Sequence, residues 1–127
     1  MTVFGYLAAL TTSMRGGAGI VLNARVRDIE DIEPIGIPVF ATEVGISSVV
    51  EHARIVDIGR PIEIEGIAIS SGDFVTGCRG GVLFVPSADA QAVLEEARVV
   101  IELDMAMRDA LGSGRPFDEV WAEKKGS

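Results

Sequence analysis

The stretch GGVLFVPSADAQAVLEEARVVIELDMAMRDALG, residues 80–112, decides the fold class. It opens on an apolar run of strand type, breaks at Pro86, and then changes period. Ala90, Val93, Leu94, Ala97, Val100, Ile101 and Met105 recur at helical spacing and form one amphipathic stripe running down to Gly112. Ser87, just past the proline, reads as the N-cap. A chain that passes from apolar runs into a 3.6-residue stripe is mixed α/β, with a long helix expected over residues 88–111.

Upstream of that switch, glycine punctuates a series of short elements. Arg79-Gly80-Gly81 leads into VLFVP, and Ser71-Gly72-Asp73 is a turn leading into FVTG. Pro61–Ile64 (PIEI) alternates into Ile67–Ile69 across Glu65-Gly66, the signal of a two-residue hairpin. RIVDI (54–58) and PVFA (38–41) are further strand candidates, and residues 42–51 between them read as a loop. AGIVL (18–22) has the pattern of a buried strand, and Asp28-Ile29-Glu30-Asp31-Ile32 places acids at a helix start, closed by Pro34 and Gly36. At the front, Phe4, Leu7, Leu10 and Met14 share one helical face across residues 3–14, which Arg15-Gly16-Gly17 ends. Downstream, residues 116–125 read as a short helix with Phe117, Val120 and Trp121 on one side.

Composition sets outer bounds. The 127 residues suit one domain with one core, 1–127, and 48% of them are hydrophobic. No apolar run approaches the length of a membrane helix, and the apolar amino terminus lacks the basic region of a signal peptide. A lone cysteine, Cys78, points to a reducing, cytoplasmic setting. The formal net charge of −8 disfavours a phosphate backbone as partner and leaves room for a basic protein.

Few residues carry obvious chemistry. Gly16, Gly17 and Gly19 follow a helix and precede a strand, the reverse of a phosphate-binding loop, so a helix C-cap explains them. His52 has no Cys or His at metal-ligand spacing and reads as a surface histidine. Cys78, beside Arg79, reads as a turn cysteine with no histidine base in view. The pair Arg27-Asp28 stands where an apolar strand gives out, the place where α/β proteins build sites. Arg27 is suited to clamp a carboxylate and Asp28 to offer a hard oxygen to a divalent cation. A surface ion pair is the plainer reading of the same two residues.

FGYLAAL (4–10), AGIVLNARVRDIEDI (18–32), GIPVFA (36–41), RPIEIEGIAISSGDFVTG (60–77) and GGVLFVP (80–86) stand in the order seen in RraA-like proteins. AQAVLEEAR (90–98) and Gly114-Arg115-Pro116 continue the match. The chain thus resembles a family of 4-hydroxy-4-methyl-2-oxoglutarate aldolases, which also decarboxylate oxaloacetate, and of non-catalytic regulators of ribonuclease activity. The resemblance implies an α/β sandwich of the swivelling-domain type, assembled as a homotrimer or hexamer. It also implies a divalent metal, Mg or Mn, that helps an arginine stabilise a pyruvate enolate. Arg27 matches the family's substrate arginine, and Asp28 the adjoining metal-site aspartate. Gly5, Leu7 and Ala8 fall where backbone amides at a helix start hold the pyruvate carboxylate. Glu102 aligns with a glutamate that reaches a neighbouring subunit's site.

Two positions depart from the family pattern. The acid that stands twenty-one residues before the arginine is Tyr6 here, and a phenol cannot replace a carboxylate in organising a metal and its waters. Where the family has acids before its last strand, this chain has Gly77-Cys78-Arg79-Gly80-Gly81. The match also begins at the FGxLA helix, the carboxyl-terminal two-thirds of the family's length, so an N-terminally truncated domain is expected. The resemblance therefore implies a degenerate relative of the metal-dependent pyruvate aldolases, acting on a small 2-oxo acid. The alternatives are a non-catalytic regulatory protein that binds another protein, or one subunit of a two-chain assembly.

Overall fold

The computed structural model describes residues 2–47 and 54–125. Two compact units divide the chain, residues 1–84 and residues 85–127. His52 lies outside the described residues, as does the end of the expected loop at 42–51.

Three parallel strands carry the first unit. They are β1 (Thr2–Phe4), β2 (Ile20–Val26) and β3 (Val39–Val44), in the order β1-β2-β3. Parallel neighbours need crossovers, and helices supply them. Helix α1 (Tyr6–Met14) joins β1 to β2; α2 (Ile29–Ile32) and a 3₁₀ turn (Glu33–Ile35) join β2 to β3. Both crossovers contact each other on one side of the sheet. There Ala9, Ile20, Val26 and Ile32 form the buried core, with Phe4, Leu22, Ile29, Ile35, Ile37, Val39 and Ala41 packed around it. The alternation of β2 and β3 explains the selection, because Ile20, Leu22, Val39 and Ala41 share a face while Val21 and Phe40 point away.

On that opposite side lie two hairpins. Strands β4 (Ile62–Ile64) and β5 (Ile67–Ile69) pair antiparallel in the register expected, Ile62 with Ile69 and Ile64 with Ile67. Glu65 and Gly66 both take positive φ, 51° and 81°, as a two-residue turn matching the strand twist demands. The second pair is β6 (Phe74–Cys78) with β7 (Gly81–Val85). Gly77 lies flat on Phe40, whose ring would meet an added Cβ at 2.4 Å. Val21, Phe40, Ile62, Ile64, Val75 and Phe84 line an apolar crevice of about 480 Å³.

The second unit contains α3 (Ala90–Gly112) and α4 (Phe117–Lys125). Gly114, at φ 89°, lets the chain reverse between them. Lys124 then pairs with Asp104 at 2.9 Å, and both guanidinium ends of Arg115 reach Glu123. The hydrogen bond and charge of Arg115 hold the Glu123 carboxyl below its ordinary range. Phe117 and Trp121 stack with ring centroids 5.8 Å apart.

Several sequence expectations need correction. Phe4 belongs to β1 rather than α1, so the first helix is shorter. Leu7 and Met14, expected on its core face, are 74% and 80% exposed, and Ala9 is the buried residue. A small residue there lets the helix backbone approach the sheet closely. Its carboxyl end is as expected: Gly16 (φ 79°) and Gly17 donate to the carbonyls of Ser13 and Thr12, a Schellman closure. Residues 42–44 extend β3 instead of forming loop, because parallel pairing with Arg25 and Val26 continues. RIVDI is not a strand; Ile55, Val56 and Ile58 are exposed and pair with no ladder among the described residues. The N-cap of α3 is Asp89, and Ser87 lies in the turn before it, closed by Asp89 N–H donating to the Pro86 carbonyl. In the second half of α3 the half-buried residues are Leu103, Met107, Ala110 and Leu111, because α4 folds back there. Val100, Ile101 and Met105 of the expected stripe are exposed.

Candidate functional site

The carboxyl ends of β1 and β2 lie side by side, and each delivers its chain into a helix. After Phe4 comes Gly5 and then α1; after Val26 come Arg27 and Asp28 and then α2. The Arg27 N–H donates to the Phe4 carbonyl at 3.0 Å, which fixes the two strand ends against each other. Residues 22 and 23 positions apart in the chain therefore meet at one spot, the usual location of a site in a parallel sheet.

A cleft of about 450 Å³ opens there, lined by Thr2–Ala8, Arg27, Asp28 and Asp31. Six of the sequence candidates are in it: Gly5, Tyr6, Leu7, Ala8, Arg27 and Asp28 meet at this opening. The Asp28 Oδ2 accepts the Tyr6 backbone N–H at 3.2 Å and faces Arg27 Nε at 3.4 Å. Both side chains are partly exposed, 43% for Arg27 and 36% for Asp28. Gly5 is the floor beneath them. A Cβ at that position would lie 2.6 Å from Asp28 Oδ2 and 3.0 Å from Arg27 Nε, so only glycine admits this arrangement. The first turn of α1 is already engaged in part, since the Ala8 and Ala9 N–H groups both donate to the Gly5 carbonyl at 3.1 Å.

Sequence reading missed two features of the cleft. Tyr6 was singled out for its side chain, yet its backbone amide makes the contact with Asp28. Asp31, one helical turn beyond Asp28, also lines the cleft; the spacing of three between the two acids was the available signal. Glu102 is an exposed residue of α3 in the second unit. Arg25, two residues before Arg27, pairs with Glu43 across the β2–β3 ladder. Cys78 is exposed, and its sulfur accepts the Gly80 N–H at 3.3 Å, as a turn cysteine does.

A divalent cation needs several hard oxygens converging on one point. Among the described residues no three His, Cys, Asp or Glu side chains are grouped to hold a metal ion. Asp28 Oδ2 already faces a cation and an amide donor. The donor set of this chain by itself does not fit a divalent centre. What the cleft offers is a cation and backbone amides, the chemistry of an anion site.

The profile of the RraA-like family, described as Aldolase/RraA, matches residues 1–84, the whole of the first unit. A putative 4-hydroxy-4-methyl-2-oxoglutarate aldolase of Halalkalibacterium halodurans is 30% identical over 109 residues, 86% of this chain and 51% of that protein. An uncharacterized protein of Methanocaldococcus jannaschii is 26% identical over 118 residues, 93% of this chain and 56% of that protein. The crystal structure of an uncharacterized protein from Pseudomonas syringae pv. tomato matches with a TM-score of 0.89 at 25% identity, over 94% of this chain and 60% of that one. The chain spans about half the length of these two curated relatives. Among the described residues no helix is long and apolar enough to cross a membrane.

Proposed function

The chain belongs to the RraA-like family, and on that premise we propose that its cleft is a degenerate pyruvate-aldolase site that binds a small 2-oxo acid. The observation that carries the reading is Arg27, a partly exposed guanidinium at the end of β2, facing Gly5 and the first turn of α1 across the cleft. A guanidinium there suits a carboxylate or an enolate oxygen, both planar anions. Gly5, Leu7 and Ala8 bring backbone close to the same anion.

Turnover by this chain alone is expected to be slight. Retro-aldol cleavage and oxaloacetate decarboxylation both leave an electron pair on a pyruvate enolate, and that charge must be neutralised as it develops. Arg27 supplies one cation. The Mg or Mn ion that the family resemblance implies would lean on the acid whose place Tyr6 takes. Tyr6→Asp should therefore raise Mg-dependent oxaloacetate decarboxylation roughly 10–100-fold over the parent, the scale of a charged group around a metal. Pyruvate release measured at saturating Mg checks this. No pyruvate binding by the parent and no gain in Tyr6→Asp would leave the non-catalytic, protein-binding reading in possession.

That second reading has its own support in Leu7 and Met14, which lie two turns apart and exposed on α1. Exposed apolar side chains that share a helix face suit contact with another chain where they join a larger apolar patch. As the family resemblance implies, a homotrimer or hexamer is the expected state. Light scattering should give a mass at least three times 13.4 kDa at micromolar concentration. A monodisperse monomer would count against that assembly.

A further inference from the structure

Asp28 is the N-cap of α2, yet its side chain makes no capping bond to that helix. An aspartate in this place ordinarily accepts an amide from its own first turn. Here the carboxylate crosses instead to the start of α1, accepting the Tyr6 N–H at 3.2 Å and facing Arg27 Nε at 3.4 Å. The backbone of Asp28 takes the left-handed conformation, φ 60° and ψ 39°, which aims the side chain away from α2. Left-handed backbone is costly for a residue with a Cβ and is found where surrounding contacts enforce it. Gly5 completes the arrangement, because any side chain there would strike Asp28 Oδ2.

Of the two donors that hold this carboxylate, the Arg27 guanidinium is the group proposed to clamp a 2-oxo acid, and the Tyr6 amide stands beside it in the same cleft, between Gly5 and Leu7. We infer that Asp28 is a built-in occupant of the anion position in the cleft, and that it sets the affinity of that position by competing with the ligand. The inference rests on the 2-oxo acid reading and states what governs binding in that same cleft. A ligand carboxylate and the Asp28 carboxylate cannot both sit on the Arg27 guanidinium and the Tyr6 amide, since two anions at that separation repel. Binding requires Asp28 to turn out of the cleft, which its partial exposure permits. Asp28 is thereby a specificity-determining residue that weakens simple monocarboxylates.

Titration calorimetry with pyruvate on the parent chain, Asp28→Asn, Asp28→Gly and Arg27→Ala tests this. Glycine suits the left-handed backbone, so Asp28→Gly clears the anion position without strain. Both Asp28 variants should bind pyruvate at least about tenfold more tightly than the parent, the effect of removing a like charge at contact distance. Arg27→Ala should bind more weakly. Acetate, which keeps the carboxylate alone, should gain by a similar factor in the Asp28 variants. Parent binding that is unchanged or lost in both Asp28 variants overturns the inference and leaves the 2-oxo acid reading standing. Absence of pyruvate binding in all four chains overturns that reading and the inference with it.

Discussion

Truncating Arg27 to alanine is expected to weaken pyruvate binding on the order of 100-fold while leaving the unfolding midpoint nearly unchanged. The guanidinium is the cleft's one cation among the described lining residues. A charge-assisted hydrogen bond contributes about 1.5–3 kcal/mol, and a planar pair of such bonds reaches the upper end of that range. The same side chain is 43% exposed and pairs with an equally accessible aspartate, so its contribution to folding is small, about 0–1 kcal/mol. Calorimetry and thermal unfolding on one preparation separate the two effects. A large loss of stability with unchanged binding would mean that Arg27 fastens the strand ends rather than the ligand. Arg27→Lys should recover only part of the affinity, because an ammonium cannot present the paired donors of a guanidinium.

Ile32→Ala should lower the unfolding free energy by about 2–5 kcal/mol, the usual cost of a large-to-small change in a packed interior. Ile32 is 3% exposed and packs with Ala9, Ile20 and Val26, the buried apolar residues among those described in the first unit. In so small a core the cavity has few neighbours able to close it. Domains of this size hold about 5–15 kcal/mol in total, so the loss takes a large share. Denaturant unfolding monitored by circular dichroism measures it. Ile32 also anchors α2, whose N-cap is Asp28, and its N–H donates to the Asp28 carbonyl at 3.0 Å. Loss of this anchor should therefore loosen pyruvate binding as well. Met14→Ala, at 80% exposed, is the control and should stay within about 0.5 kcal/mol of the parent at concentrations below association.

These two substitutions show how the cleft depends on the core. Arg27 and Asp28 occupy fixed positions because β2 is held between β1 and β3, and because α2 returns onto the sheet through Ile32. The side chain that binds and the side chain that supports are five residues apart in the chain, and they have opposite environments.

The sequence by itself determined the elements whose cause is local. The Glu65-Gly66 hairpin follows from two residues that accept positive φ between alternating isoleucines. The end of α1 follows from Gly16 and Gly17, and the long helix from the change of period after Pro86. The Arg27-Asp28 pair was legible as a strand-end motif, and the resemblance to the RraA-like family, carried by the blocks around it, is matched by the family profile over residues 1–84. What only the tertiary structure decided has a non-local cause. Spacing shows that Leu7 and Met14 share a helix face, but not that Ala9 lies on the side turned to the sheet. A carboxylate such as Asp28 has several donors within reach, and the choice of the Tyr6 amide over its own helix depends on β1 pairing with β2. The need for glycine at position 5 arises the same way, from atoms 22 and 23 residues distant that arrive only when the parallel ladder forms. Parallel pairing is set by long-range packing rather than by neighbouring residues, so the contacts it creates cannot be read along the chain.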